Sequence, residues 1–265
     1  MLFALTFSIL GCKNVDPAPE NLDALAHYYW DHFDDADDDA VAGGVQNLHA
    51  AIQGSTREDV SDGSISNLTV DQLALIGMES EDPSDAYGVY IANLIEGCSL
   101  EEIEYLTYAS NQDELHPGTY VTYDREYGED IDAYLAREED VLTWVTTYEV
   151  SGFASDYTAQ LDGWLRYVPA LDSETSPYGP MLLSRGVLKD PAYFSGSDER
   201  ALFQDYQLEV FYERAPGEIL HFYVIWRDMV PLANQDFSSG STQRLVLDGL
   251  AEWDADSEAY CAGEM

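Results

Sequence analysis

Phe203-Gln-Asp-Tyr-Gln-Leu-Glu-Val-Phe-Tyr-Glu213 and Glu218-Ile-Leu-His-Phe-Tyr-Val-Ile-Trp-Arg-Asp-Met-Val230 flank the short break Arg214-Ala-Pro-Gly217. Branched and aromatic side chains pack well on a pleated surface, and proline and glycine supply turn backbone. The segment therefore reads as a β-hairpin.

The same grammar extends upstream. Met181 to Leu188 follows a Pro/Gly turn and reads as a strand. In Tyr157 to Val168, Tyr157, Ala159, Leu161, Gly163, Leu165 and Tyr167 alternate against Thr158, Gln160, Asp162, Trp164 and Arg166. Asp140 to Val150 is rich in β-branched and aromatic residues, and Tyr120 to Tyr123 suits a first strand. Asp130 to Arg137 reads as a helical turn between strands. Downstream, Gln243 to Asp254 sets Leu245, Leu247, Ala251 and Trp253 against Asp248, Glu252 and Asp254, which favours a strand. A terminal helix is the alternative, at a cost of ~1 kcal/mol for Gly249.

Before His116-Pro-Gly118 the period changes. Leu22, Leu25, Ala26, Tyr29, Phe33, Ala36 and Ala40 form one stripe, which predicts a helix over 21–40. Gly43-Gly44 should end it, and Val45 to Gln53 should form a short second helix. Gly54 to Asn67 reads as a loop. Thr69-Val-Asp-Gln72 and Ser99-Leu-Glu-Glu102 have the form of capping boxes, each opening a helix. Asp85 to Ile95 is helical in pattern, with Ala86, Val89, Tyr90 and Leu94 on one face. The expectation is an α+β fold in one domain, 20–265, helical over 20–118 and mainly β over 119–265. N-terminal helices would pack on a C-terminal antiparallel sheet of about six strands. By pattern, the nearest analogies are START-like helix-grip and lipocalin-like β-cups.

The 265 residues carry 51 Asp+Glu against 11 Lys+Arg, a net charge of −40, with Lys13 and Lys189 the only lysines. No basic patch can neutralise phosphates, so nucleic acid is excluded as a partner. Self-repulsion of this density calls for salt or divalent cations. The acid is spread along the chain, which favours a saline habitat over a dedicated Ca²⁺ site. Asp35-Ala-Asp37-Asp38-Asp39-Ala40 begins like a calcium loop, but Ala40 replaces the glycine at position six and Gln46 the acid at twelve. His27 and Asp31 share a face, with Asp35 one turn on and His49 on the next helix, a weak candidate metal set against the plainer reading of a solvated acidic face.

Nucleophile elbows, Walker loops and dinucleotide fingerprints are missing from the sequence. The aromatic strands carry more information. Trp144, Trp164, Tyr206, Tyr223 and Trp226, with Arg166, could line an apolar pocket on a curved sheet, or simply fill the core. Arg166, Arg185, Arg214 and Arg227 would either anchor a ligand or pair with carboxylates. A binding module for an apolar or amphipathic ligand is expected before an enzyme. A surface protein that meets an envelope partner is the alternative.

At the other end, Met1 to Leu10 is an uncharged apolar run, too short for the ~20 residues that span a bilayer. It suits the core of a signal peptide, or a buried N-terminal strand. Ile9-Leu10-Gly11-Cys12 resembles the lipobox of bacterial lipoproteins. The resemblance covers residues 1–12. It implies a signal peptide over 1–11, lipid attachment at Cys12, a tether over 12–19 containing Pro17 and Pro19, and a lipid-anchored place in the cell envelope outside the cytoplasm. With Cys12 so used, Cys98 and Cys261 remain as a pair to be oxidised, or as two unrelated thiols.

Overall fold

The structure, a computed structural model, describes residues 17–35, 38–52, 61–151, 156–170, 179–230 and 240–264. Its helices are α1 (Leu22–Asp31), α2 (Asp38–Ile52), α3 (Val70–Ala74), α4 (Leu100–Tyr108), α5 (Gln112–Leu115), α6 (Ile131–Leu135) and α7 (Gly240–Cys261). Its strands are β1 (Ser61–Ile65), β2 (Tyr87–Glu96), β3 (Thr122–Tyr127), β4 (Val141–Val150), β5 (Tyr157–Val168), β6 (Met181–Leu188), β7 (Ala192–Tyr193), β8 (Ala201–Ala215) and β9 (Glu218–Met229). They form one antiparallel sheet in the order β1-β2-β9-β8-β6-β5-β4-β3, with the short β7 beside β8. The expected α+β architecture is present, with nine strands among the described residues in place of about six.

The hairpin β8–β9 lies inside the sheet, and its turn carries Gly217 at φ +74°, a backbone that glycine adopts without strain. Alternation along its strands assigns the two faces. Leu220, Phe222, Val224 and Trp226 of β9 join Leu208, Val210 and Tyr212 of β8 under α1, α2 and α3. On the other face, Ile219 packs with Phe211, Leu142 and Leu165 beneath α4 and α6. Tyr223, Ile225 and Val89 form a third cluster, reached by Leu247 of α7.

Five expectations are corrected. The helix over 21–40 is divided, α1 ending at Asp31 and α2 beginning at Asp38, because His32, Phe33, Asp34 and Asp38 serve two strand arginines. Arg166 Nη1 donates to the carbonyls of His32 (3.3 Å) and Phe33 (2.6 Å), Arg166 Nη2 meets Asp38 at 2.6 Å, and Arg185 meets Asp34 at 2.9 Å. Gly43-Gly44 does not end a helix but lies inside α2. A Cβ on Gly44 would stand 2.6 Å from the Tyr29 hydroxyl, so the glycine lets α2 approach α1. The segment from Asp85 to Ile95 holds strand β2 (Tyr87–Glu96) after a 3-10 turn that ends at Asp85, and β1 falls in the segment read as a loop. Both faces of β2 are buried, so its apolar residues form a near-continuous run whose spacing mimics a helix. Gln243 to Asp254 is helix α7, whose buried positions include Thr242, Asp254 and Ser257, so no clean apolar stripe marks it. Both capping boxes form as expected, at Thr69/Gln72 and Ser99/Glu102.

Candidate functional site

Between α7, α4, α5 and the sheet lies a cavity of about 700 Å³. Six strands, β3, β4, β5, β6, β8 and β9, contribute to its wall, so the sheet curves around it. Part of its floor is set by glycine. Gly163 and Gly186 face each other across β5 and β6, and Trp144, the partner of Gly163 on β4, lays its ring where a side chain would stand. A Cβ at Gly163 would come within 2.1 Å of Trp144 Nε1.

One end of the cavity is a cluster of phenols. Ring centroids are 5.5 Å apart for Tyr120 and Tyr148, 6.3 Å for Tyr148 and Tyr157, and 5.2 Å for Tyr157 and Phe194. Burial pushes the Tyr120, Tyr148, Tyr157 and Tyr223 hydroxyls above the usual phenol range, so they remain neutral donors. Arg227 reaches across from β9 to Asp205 of β8 at 2.6 Å beside them.

The other end is a chain of polar groups linking sheet to helix. His221 Nδ1 meets the buried Asp254 of α7 at 2.7 Å, and Asp254 also accepts from Asn93 Nδ2 at 2.9 Å. His221 Nε2 lies 3.4 Å from Glu209 Oε2, and Glu209 accepts from the Ser184 hydroxyl at 3.2 Å. Burial opposes charge on the imidazole, but Asp254 and then Glu209 outweigh it and hold the His221 pKa at about 9. At neutral pH the group is a cation between two carboxylates. His116, stacked on Trp253 with ring centroids 5.4 Å apart, is bonded to Asp256 at 3.2 Å. Burial, partly offset by Asp256, pushes its pKa below the usual histidine value.

His221 and Asp254 have the geometry of a base and its orienting acid. The second nitrogen, however, faces Glu209, and the Ser184 hydroxyl is bonded to that carboxylate instead of the imidazole. A histidine already protonated cannot accept a proton from a nucleophile. The arrangement holds charge and orients donors, with the Ser184 hydroxyl turned to Glu209.

Trp144 and Tyr223, two of the residues singled out from sequence, line the cavity. Trp164, Arg166, Tyr206 and Trp226 do not. They face α1 and α2, where Trp226 Nε1 donates to the Ser66 carbonyl at 2.8 Å and Trp30 meets the Trp226 ring edge-on at 5.5 Å. Tyr223 and Trp226 are three apart on one strand and must point to opposite faces. The same parity, applied to Tyr223, places Arg227, one of the four arginines noted from sequence, on the cavity side, and finds His221, which was not singled out. Arg125, Ser184 and Glu209 were missed because their significance depends on long-range pairing of strands.

His27, Asp31 and Asp35 do not converge. His27 Nδ1 and Asp31 bind the Gln72 side chain at 3.0 and 2.9 Å, while Asp35 meets His32 at 2.5 Å. Among the described residues no three His, Cys, Asp or Glu side chains are grouped to hold a metal ion. Arg166, Arg185, Arg214 and Arg227 each meet a carboxylate. Cys98 and Cys261 are disulfide-bonded, with Cα atoms 5.2 Å apart. Cys12 and the apolar start lie outside the described residues.

No family model and no curated protein matches the chain. Among solved structures, it is similar to the human StarD13 lipid transfer and protein localization domain, with a TM-score of 0.44 and 10% identity over 80% of this chain and 95% of that one. Human STARD10 gives a TM-score of 0.43 and 7% identity, over 74% of this chain and 82% of that one. The STAR-related lipid transfer protein from Xanthomonas axonopodis gives 0.42 and 9%, over 77% and 93%.

Proposed function

We propose that this protein is a non-catalytic binding module that encloses an amphipathic ligand between its sheet and α7. One observation carries the reading: a cavity of about 700 Å³ whose wall combines aromatic rings with a few buried polar groups. Ligand sites usually have this form, an apolar concavity of roughly 300–1,000 Å³ with sparse polar groups that fix orientation. A space filled only to complete a core would be closed by side chains, since interiors pack to crystal density. Native mass spectrometry of the chain purified from its own cells is expected to show a bound small amphiphile, released by organic extraction. A chain that carries nothing and takes up no apolar probe would overturn the reading.

The membrane belongs to the same proposal. A lipid on Cys12 would hold a domain of −40 at a surface that repels it. Cys12→Ser is expected to move the protein from the membrane fraction to the soluble one. A variant that still sediments with membranes would remove the anchor from the proposal and leave the cavity untouched.

A further inference from the structure

Arg125 of β3 forms part of the cavity wall, half-buried. Its Nε donates to the Thr146 hydroxyl at 3.2 Å, Nη1 to the Thr107 carbonyl at 2.7 Å, and Nη2 to the Tyr123 hydroxyl. The guanidinium lies 4.3 Å over the Trp144 ring. All of these partners are neutral. Arg137, Arg166, Arg185, Arg214, Arg227 and Arg244 each meet a carboxylate, at 2.6 to 3.1 Å. Among the described residues no carboxylate makes an ion pair with Arg125.

In a chain with 51 acidic and 11 basic side chains, an arginine without an acid is the unexpected case. The plainest account is a strut that ties β3 to α4 through Thr107. That explains one bond. It does not explain why a cation is kept at the cavity wall without a counter-charge. The guanidinium also has more N–H groups than these three acceptors use, and the Trp144 face fixes its plane. Of the other cations on the cavity wall, Arg185, Arg227 and His221 are matched by Asp34, Asp205 and Asp254, while the lining carboxylate Asp162 meets Lys189 and Asp248 and Glu252 sit exposed on α7.

We infer that Arg125 receives the acidic head of the ligand, a carboxylate or phosphate monoester whose apolar tail lies along Trp144 and the tyrosine cluster. This rests on the cavity-binding reading above and names the chemistry of its occupant. Arginine suits such a head because its planar fork offers paired, charge-assisted hydrogen bonds to two oxygens.

The test uses three amphiphiles with one tail, hexadecanoate, hexadecyl phosphate and hexadecanol, each displacing a neutral fluorescent naphthylamine from the delipidated full chain. The expected result is that an acidic head outcompetes the alcohol by tenfold or more, as a charge-assisted bond predicts. Whichever acid is stronger distinguishes carboxylate from phosphate. In Arg125→Gln the ratio of acid to alcohol affinity should fall to about one, and in Arg125→Lys it should fall only in part. Equal binding of acid and alcohol by the unmodified chain would overturn the inference without any variant and would leave the cavity reading standing. A preference that survives Arg125→Gln would overturn the assignment to this residue. If neither the naphthylamine nor any amphiphile binds, the cavity reading fails and this inference with it.

Discussion

His221 is buried and charged, a costly combination that two carboxylates must offset. Its pKa of about 9 lies above the ordinary 6.5, so its contribution to stability is complete below pH 6.5 and is lost as pH rises through 9. Chemical denaturation at a series of pH values should therefore show stability falling between pH 7 and 10 by roughly 2–3 kcal/mol. His221→Gln should flatten that slope. Asp254→Asn should cost about 3 kcal/mol at neutral pH, because it leaves the imidazolium with only the more distant Glu209. A flat profile in the unmodified chain would show that the imidazole is not held as a cation. Gly163 makes a different demand. Its missing Cβ is the space that Trp144 fills, so Gly163→Val should push the ring into the cavity. Overpacking of this kind costs typically 1–3 kcal/mol. A blue-shifted or quenched tryptophan signal together with lost probe binding would report it, and unchanged binding would show that the ring does not bound the ligand space.

Helix α7 joins these residues into one device. Its C-terminal half is tied to the sheet by Asp254 with Asn93 and His221, by Glu258 accepting from the Glu96 amide at 2.9 Å, and by the Cys98–Cys261 bond. Its first turns meet β1 through Arg244 and Asp62 at 3.1 Å, an exposed pair that adds little. The disulfide is thus the strongest tie of the helix. Replacing both cysteines by serine should lower stability by up to about 5 kcal/mol, since the closed loop is long. A melting temperature unchanged by reduction would contradict this. α7 also separates local sequence signals from long-range ones. The hairpin, β5, β6 and both capping boxes were legible, because their signals are local: a Pro-Gly break, a period of two, a Ser or Thr three residues from a glutamate or glutamine. α7 was not, since its inward side bears Thr242, Asp254 and Ser257, and the partners of Asp254, Asn93 and His221, lie on strands far along the chain. β2 was hidden for the opposite reason, being apolar on both sides. The cavity was half legible. Trp144 and Tyr223 were found by type, whereas Arg125 and Glu209 matter for what faces them across strands.

The sheet order prevents any division of the molecule at residue 118. β1 and β2 run beside β9, so the first half of the chain completes a sheet that the second half begins. Over the whole chain the charge is −40, with 51 acidic side chains against 11 basic ones. Raising ionic strength from about 0.01 to 1 M shortens the screening length from about 30 to 3 Å. Thermal unfolding should accordingly shift upward with added NaCl, more steeply than the few surface ion pairs can counter. A melting temperature that falls with salt would mean that those pairs, and not self-repulsion, dominate. Finally, the bond between Cys98 and Cys261 spans a sequence separation of 163 and makes the polypeptide a lasso. Its ring holds every element from α4 to α7, and α1, α2, β1, α3 and β2 form the tail. A single peptide cleavage within the ring leaves one covalent molecule, which migrates as one band until a thiol is added and then as two. A cleavage before Cys98 gives a fragment that holds neither cysteine of the bond, so it separates without added reductant.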